Sequence, residues 1–154
     1  MAKRVKMGDV VQILTSRGIA YAQMTHKHQG YGPLLAVFEG IHDQPPADFA
    51  DLVAADPQFR AFFPLQPAVN QGLLSIVANV HVAASNSVFP LFRSCVYDRE
   101  GKRGPWWIWD GQTETMLTRA LTDEEKRFSL RGIISAPLLV ERIENNYRPQ
   151  THDV

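Results

Sequence analysis

Pro105-Trp106-Trp107-Ile108-Trp109-Asp110-Gly111 holds all three tryptophans of the 154-residue chain, with turn-forming residues at both ends. Successive side chains of a strand point to opposite faces. Trp107 and Trp109 therefore share one face of a strand, and Trp106 and Ile108 the other. A strand that is apolar on both faces is either covered on both sides or keeps one face for a partner. Upstream, Val88 to Asp98 reads as another strand, with Pro90 marking an edge or a bulge near its start. The polar loop Arg99-Glu100-Gly101-Lys102-Arg103-Gly104 joins the two, so residues 91–110 are expected to form a hairpin.

Outward from the hairpin, Leu74, Ile76, Ala78, Val80 and Val82 alternate with Ser75, Val77, Asn79 and His81. That period of two predicts a long strand with one greasy and one mixed face. Ala84-Ser85-Asn86-Ser87 reads as a turn. Nearer the start, the runs Val10–Leu14 and Ile19–Met24 flank a short loop ending in Gly18, and Leu34–Glu39 supplies a third strand. The three make a meander, the beginning of a small barrel or a strongly bent sheet.

Between the strands, Phe49, Leu52 and Val53 fall at i, i+3, i+4 while Asp48 and Asp51 lie on another side. This predicts an amphipathic helix over residues 47–55. Asp56-Pro57 resembles a helix cap with proline at the first position, so a second helical piece is expected through Phe59, Phe62 and Phe63, stopped by Pro64 and Pro67. The phenylalanines read as a core-packing lid over one end of the sheet. After Gly111, residues 113–121 fit strand or loop equally. Thr122 and Glu125 have the spacing of a capping box, Ser135-Ala136-Pro137 starts a last helix reaching about Asn146, and residues 147–154 read as a frayed tail. The expected fold is α+β: a predominantly antiparallel, strongly bent sheet or small barrel, a helical insertion (residues 45–64 within 41–72) and C-terminal helices, all in a single domain over 1–154.

Composition is that of a globular domain, with 45% hydrophobic and 21% charged residues. No apolar run approaches the roughly 18 residues of a membrane span, and no apolar segment follows the basic start Lys3-Arg4-Val5-Lys6, so a secretory signal is not expected. The single cysteine, Cys95, fits a reducing compartment, and the expected location is cytoplasmic. Sixteen cations balance sixteen anions, which argues against a generally nucleic-acid-binding surface. The balance is uneven along the chain. From Glu39 to Phe59 there are five anions (Glu39, Asp43, Asp48, Asp51, Asp56) and no Lys or Arg. Such a block is either a solvated face or a docking patch for a basic partner.

Signals for catalysis are sparse. His26 and His28 would point the same way on an extended segment, but further ligands would have to come from His42, His81 or an acid, and no spacing matches a zinc pattern; no metal or cofactor is expected. Cys95 with His81 could make a thiol–base pair only if a neighbouring base lowers the thiol pKa. Gly30-Tyr31-Gly32-Pro33 has the wrong flanks for a phosphate loop, because a strand follows it. Asp110 and Glu114 could pair for acid–base work, although Asp-Gly more simply makes a turn. Arg93, Tyr97, Arg99, Lys102, Arg103, Trp106 and Trp107 interleave basic and aromatic side chains, as in a surface that stacks bases and holds phosphates.

Gly8-Asp9-Val10-Val11-Gln12-Ile13, followed by Ala20-Tyr21-Ala22-Gln23-Met24, resembles the opening of the Imm26-type immunity proteins of bacterial polymorphic toxin systems. Trp106-Trp107-Ile108-Trp109-Asp110-Gly111 is similar to a tryptophan-containing strand further along that family. The likeness covers residues 8–40 and, more loosely, 88–111; residues 41–72 and those after 112 find no counterpart, and Gly-Asp before a strand also opens other small β-barrels. The resemblance implies a non-catalytic cytoplasmic protein that binds and blocks a cognate toxin, with no catalytic residues to carry over. Tryptophan and arginine are common anchors of protein interfaces. Trp106, Trp107, Trp109 and Arg103, with Asp48 and Asp51 of the acidic block, are therefore the candidate partner-binding residues. The competing readings are a small enzyme with a pocket between the sheet and the 41–70 helices, and a nucleic-acid-binding barrel.

Overall fold

The computed structural model describes residues 3–152. The chain divides into two compact units, Met1–Val88 with Gly132–Tyr147, and Phe89–Arg131 with Arg148–Val154. Both are antiparallel-dominated sheets with short helices, an α+β fold.

In the first unit the expected meander forms as β1 (Asp9–Thr15), β2 (Gly18–His28) and β3 (Gly32–Phe38). Two more strands extend it, β4 (Pro57–Phe62) beside β3 and β5 (Leu74–Asn79) beside β1, in the order β4-β3-β2-β1-β5. All neighbours are antiparallel. The sheet is open, not a closed barrel, since its outer strands are different ones. Both faces are covered. Val11, Ile13, Ala22, Met24, Leu35, Val37, Phe59 and Ala61 pack with α2 (Leu65–Asn70) and α4 (Ala136–Glu144). Val10, Tyr21, Ala36 and Phe38 pack under Phe49, Leu52 and Val53 of the segment carrying α1 (Ala50–Ala54).

Two details show how sequence becomes register. Gly8 enters β1 at φ +87°, and a Cβ there would lie 2.7 Å from the Val80 carbonyl oxygen, so both conformation and space require glycine. On β5 the alternation read from the sequence holds for exposure, with Ser75, Val77 and Asn79 outward. Its apolar residues do not share one face, however. Val10 pairs with Ala78 while Val11 pairs with Ile76, a bulge that places Ile76 in the cluster against α2 and α4 and Ala78 in the cluster under α1.

The expected second helical piece is a strand. Pairing of Val37 with Phe59 and of Leu35 with Ala61 supplies the hydrogen bonds that the outer edge of β3 would otherwise leave open. Phe59 and Phe62 thereby belong to the sheet itself and do not form a lid. Pro64 and Pro67 do not end a helix but start one, α2, where the first-turn N–H groups have no intrahelical acceptor to lose. Ala84–Ser87, read as a turn, is the single helical turn α3. Asn86 in it is 1% exposed; its Nδ2 donates to the Val53 and Ala55 carbonyls (3.0 and 3.2 Å) and its Oδ1 accepts from Arg60 Nη2 (3.1 Å).

The second unit has β6 (Phe92–Ser94), β7 (Trp107–Trp109), β8 (Glu114–Met116) and β9 (Ser129–Leu130), in the order β8-β7-β6-β9. The hairpin forms, with Phe92 opposite Trp109 and Ser94 opposite Trp107, but its strands are much shorter than Val88–Asp98 implies. β8 decides the strand-or-loop ambiguity after Gly111 in favour of a strand, and β9 runs parallel to β6. Thr122 and Glu125 make both capping-box bonds (Thr122 N–H to Oε1, 2.9 Å; Glu125 N–H to Oγ1, 3.1 Å), yet they hold only a 3₁₀ turn, Glu125–Arg127. Residues 147–152 are not loose. Tyr147 is buried against Phe59 in the first unit, and Pro149–His152 form α5; Asp153 and Val154 of the expected tail lie outside the described residues.

Asn86 pins the acidic segment through buried bonds, so Asn86→Leu leaves the Val53 and Ala55 carbonyls without their donor. A loss of about 2–3 kcal/mol is expected, read as a lower urea midpoint in far-UV circular dichroism. An unchanged midpoint would contradict the role given to these bonds.

Candidate functional site

Burial along the tryptophan stretch does not follow simple alternation: Trp106 and Trp109 are buried, and Trp107 and Ile108 between them are half-buried. Trp109 is 3% exposed, with Phe89 and Phe92 against it (5.8 and 5.6 Å between centroids) and the Arg131 guanidinium 4.2 Å over its ring. Gly111 turns the chain at φ +103°, where a Cβ would come within 2.8 Å of the Phe89 ring. Trp106 is 6% exposed, with the guanidiniums of Arg93 at 4.6 Å and Arg103 at 4.9 Å from its ring centre. Trp107 alone of the three is half-buried. Of the candidate anchors, the rings of Trp106 and Trp109 are buried within the second unit against neighbouring rings and guanidiniums, and the side chains of Trp107 and Ile108 are covered only in part.

Arg103 is exposed on the hairpin loop, and Asp48 and Asp51 are exposed on the segment over the first sheet. Asp48 Oδ1 accepts from Ala50 N–H (3.0 Å), an exposed local turn ahead of α1. Around them Asp43 and Asp56 are exposed too, and none of these four aspartates is in an ion pair among the described residues. The segment bearing them is fastened at several points. His42 exchanges both backbone bonds with Ile19 (2.7 and 2.8 Å), Phe49 meets Tyr21 edge-on at 5.1 Å, and Asn86 holds its far end.

The remaining sequence candidates have structural work. His26 bonds Thr25 Oγ1 through Nδ1 (2.9 Å) and the Ser87 carbonyl through Nε2 (2.8 Å). His28 Nδ1 accepts from the N–H groups of Gly30 and Tyr31 (3.0 and 3.1 Å). Among the described residues no three His, Cys, Asp or Glu side chains come together as metal ligands. Asp110 and Glu114 do not pair. Asp110 caps its own turn, and the N–H groups of Thr113 and Gln112 hold its carboxyl below the usual range; Glu114 accepts from Arg131 Nη1 at 2.7 Å. Cys95 is half-buried after β6, with no hydrogen-bonded base among the described residues. Three buried polar atoms, Tyr21 Oη, Gln23 Oε1 and His42 Nε2, have no partner among the described residues.

The second unit also carries a groove that no local sequence pattern announces. The hairpin end Arg103–Trp106 and the segment Leu117–Leu121, joined by the Leu117 N–H to Trp106 carbonyl bond (2.8 Å), wall a groove of about 660 Å³ with Lys126 at its side. Arg119 on its rim is engaged twice by Glu125 (2.7 and 3.0 Å). Residues 104 and 117 pair across no regular strand, so spacing alone does not bring Lys126 and Arg103 to one hollow.

Compared with known protein families, curated proteins and solved structures, the chain matches none. No helix among the described residues is long and apolar enough to cross a membrane.

Glu125 offers a direct check on this geometry. Its carboxyl is held at about 2, first by the Arg119 guanidinium and then by the Thr122 N–H. A carboxyl pKa lowered in the fold contributes stability above its ordinary value of 4.5, and that contribution is lost as pH falls towards about 2. Arg119→Met should raise the Glu125 midpoint in a carboxyl NMR titration. An unmoved midpoint would show that the ion pair does not set it.

Proposed function

We propose that the chain is a non-catalytic protein-binding module, an immunity protein that neutralises a cognate bacterial toxin in the cytoplasm. The observation that carries this reading is the fastened acidic cover of the first unit. Asp43, Asp48, Asp51 and Asp56 are exposed, outside any ion pair among the described residues, and set on a segment held to the sheet by backbone bonds, aromatic contact and Asn86. A charged surface that is already ordered loses little entropy on docking. Its complement is a basic patch on a protein. Net charge is zero, so the pairing favours register and specificity over long-range steering. The sequence resemblance to immunity proteins points the same way. Half-buried Trp107 and exposed Arg103 are the remaining accessible candidates of the tryptophan hairpin.

The enzyme alternative needs a cleft between the sheet and residues 41–70. There, Phe49, Leu52 and Val53 pack directly onto Tyr21, Val10 and Ala36.

Co-expression with the product of the adjacent gene, followed by affinity purification, is the test. A stable one-to-one complex is expected, weakened by about 10-fold or more in the double variant Asp48→Lys, Asp51→Lys, with circular dichroism unchanged. No complex with any neighbouring gene product, or a complex indifferent to the double variant, would contradict the proposal.

A further inference from the structure

The groove of the second unit is independent of the acidic cover, and its charge is of the opposite sign. We propose that it is a binding site for a phosphate monoester. Of the three cations lining it, Arg119 is neutralised by its two bonds to Glu125. Arg103 and Lys126 have no carboxylate partner among the described residues, and no carboxylate lines the groove. Two uncompensated positive charges therefore face one hollow in a chain that is neutral as a whole.

Both are held in place by other parts of the unit. The Arg103 guanidinium rests on Trp106, which leaves its outer N–H groups free to donate. The Lys126 backbone is fixed at both ends, its N–H donating to the Thr122 carbonyl (3.0 Å) and its carbonyl accepting from Arg93 Nη2 (3.3 Å), while its ammonium has no ion-pair partner among the described residues. Along the same wall, the backbone N–H groups of Thr118, Arg119, Ala120 and Leu121 donate to nothing among the described residues. Cations beside unused peptide N–H groups make an anion site.

Charge matching selects the anion. A phosphate monoester carries about −1.5 to −2 at pH 7 and three acceptor oxygens, which balances two cations and uses several N–H donors. A carboxylate balances one. A phosphodiester of a nucleic-acid backbone also carries one charge per phosphate, so the groove favours a terminal phosphate over a polynucleotide strand. The volume of about 660 Å³ leaves room beside the phosphate for a small organic group.

Isothermal titration of the intact protein at constant ionic strength tests this with three probes: inorganic phosphate, AMP and a single-stranded oligonucleotide lacking terminal phosphates. Saturable binding of AMP is expected, with the Arg103→Met, Lys126→Met double variant weakening it about tenfold or more; methionine keeps the packing on Trp106 while removing the charge. Lys27→Met, which removes a cation from a groove of the first unit, should leave affinity unchanged. Binding of inorganic phosphate with equal affinity supports a site that reads the phosphate alone, and tighter AMP binding supports one that also holds the ester group. The proposal is overturned if neither phosphate nor AMP binds at millimolar concentration, if only the oligonucleotide binds, or if Lys27→Met abolishes binding and the double variant does not.

Discussion

The second unit depends on one buried guanidinium. Arg93 has no exposed surface, and it sits on a three-residue strand in a sheet whose ladders are too short to hold much by themselves. Its Nε donates to the Phe128 carbonyl at 3.0 Å, and its Nη2 donates to the carbonyls of Pro149 at 2.9 Å and Lys126 at 3.3 Å. Its plane lies over Trp106. Arginine stays charged at any pH a protein meets, so burying it is costly unless hydrogen bonds take up its donors. Those bonds gather three chain segments around one strand: the 3₁₀ turn, the approach to β9, and the start of α5. The tryptophans then pack on a frame that the guanidinium has fixed.

The first unit reaches order by the opposite route. Its central strands are apolar on both faces, and covers of different kind close the two sides, α2 and α4 on one and the acidic segment on the other. Polar groups serve as pins at the margin. Buried Asp9 accepts from Lys6 N–H and from Asn79 Nδ2, and Gln23 Nε2 donates to the carbonyls of Gly8 and Val80. This division leaves the charge of the first unit on the outside of a rigid support.

Much of the fold was legible in the sequence where a local signal and the tertiary demand agreed. The N-terminal meander, the pairing of the tryptophan strand, the capping box and the last helix all have such signals. The misreadings share a cause. Pro57–Phe62 has the spacing of a capped helix, but the open edge of β3 recruits it as a strand, and nothing local announces that edge. The bulge on β5 that divides its apolar residues between two clusters follows from register with β1 and leaves the alternation intact. At the candidate site, the exposure of Asp48, Asp51 and Arg103 was legible because charged residues in polar stretches are visible in one dimension. The burial of Trp106 and Trp109 was not, since it depends on Arg93, Arg131 and Phe89 arriving from elsewhere in the chain. Lys126 joins the groove through the same long-range arrangement.

Whether the tryptophan stretch is interior frame or exposed contact surface decides how the whole hairpin is understood, and all three tryptophans report on it directly. Acrylamide quenching of Trp107→Phe isolates Trp106 and Trp109, each less than a tenth exposed. Burial predicts emission that resists quenching in the native variant and becomes accessible in denaturant. Ready quenching of the native variant would show that these rings face solvent and that the frame built on Arg93 is wrong.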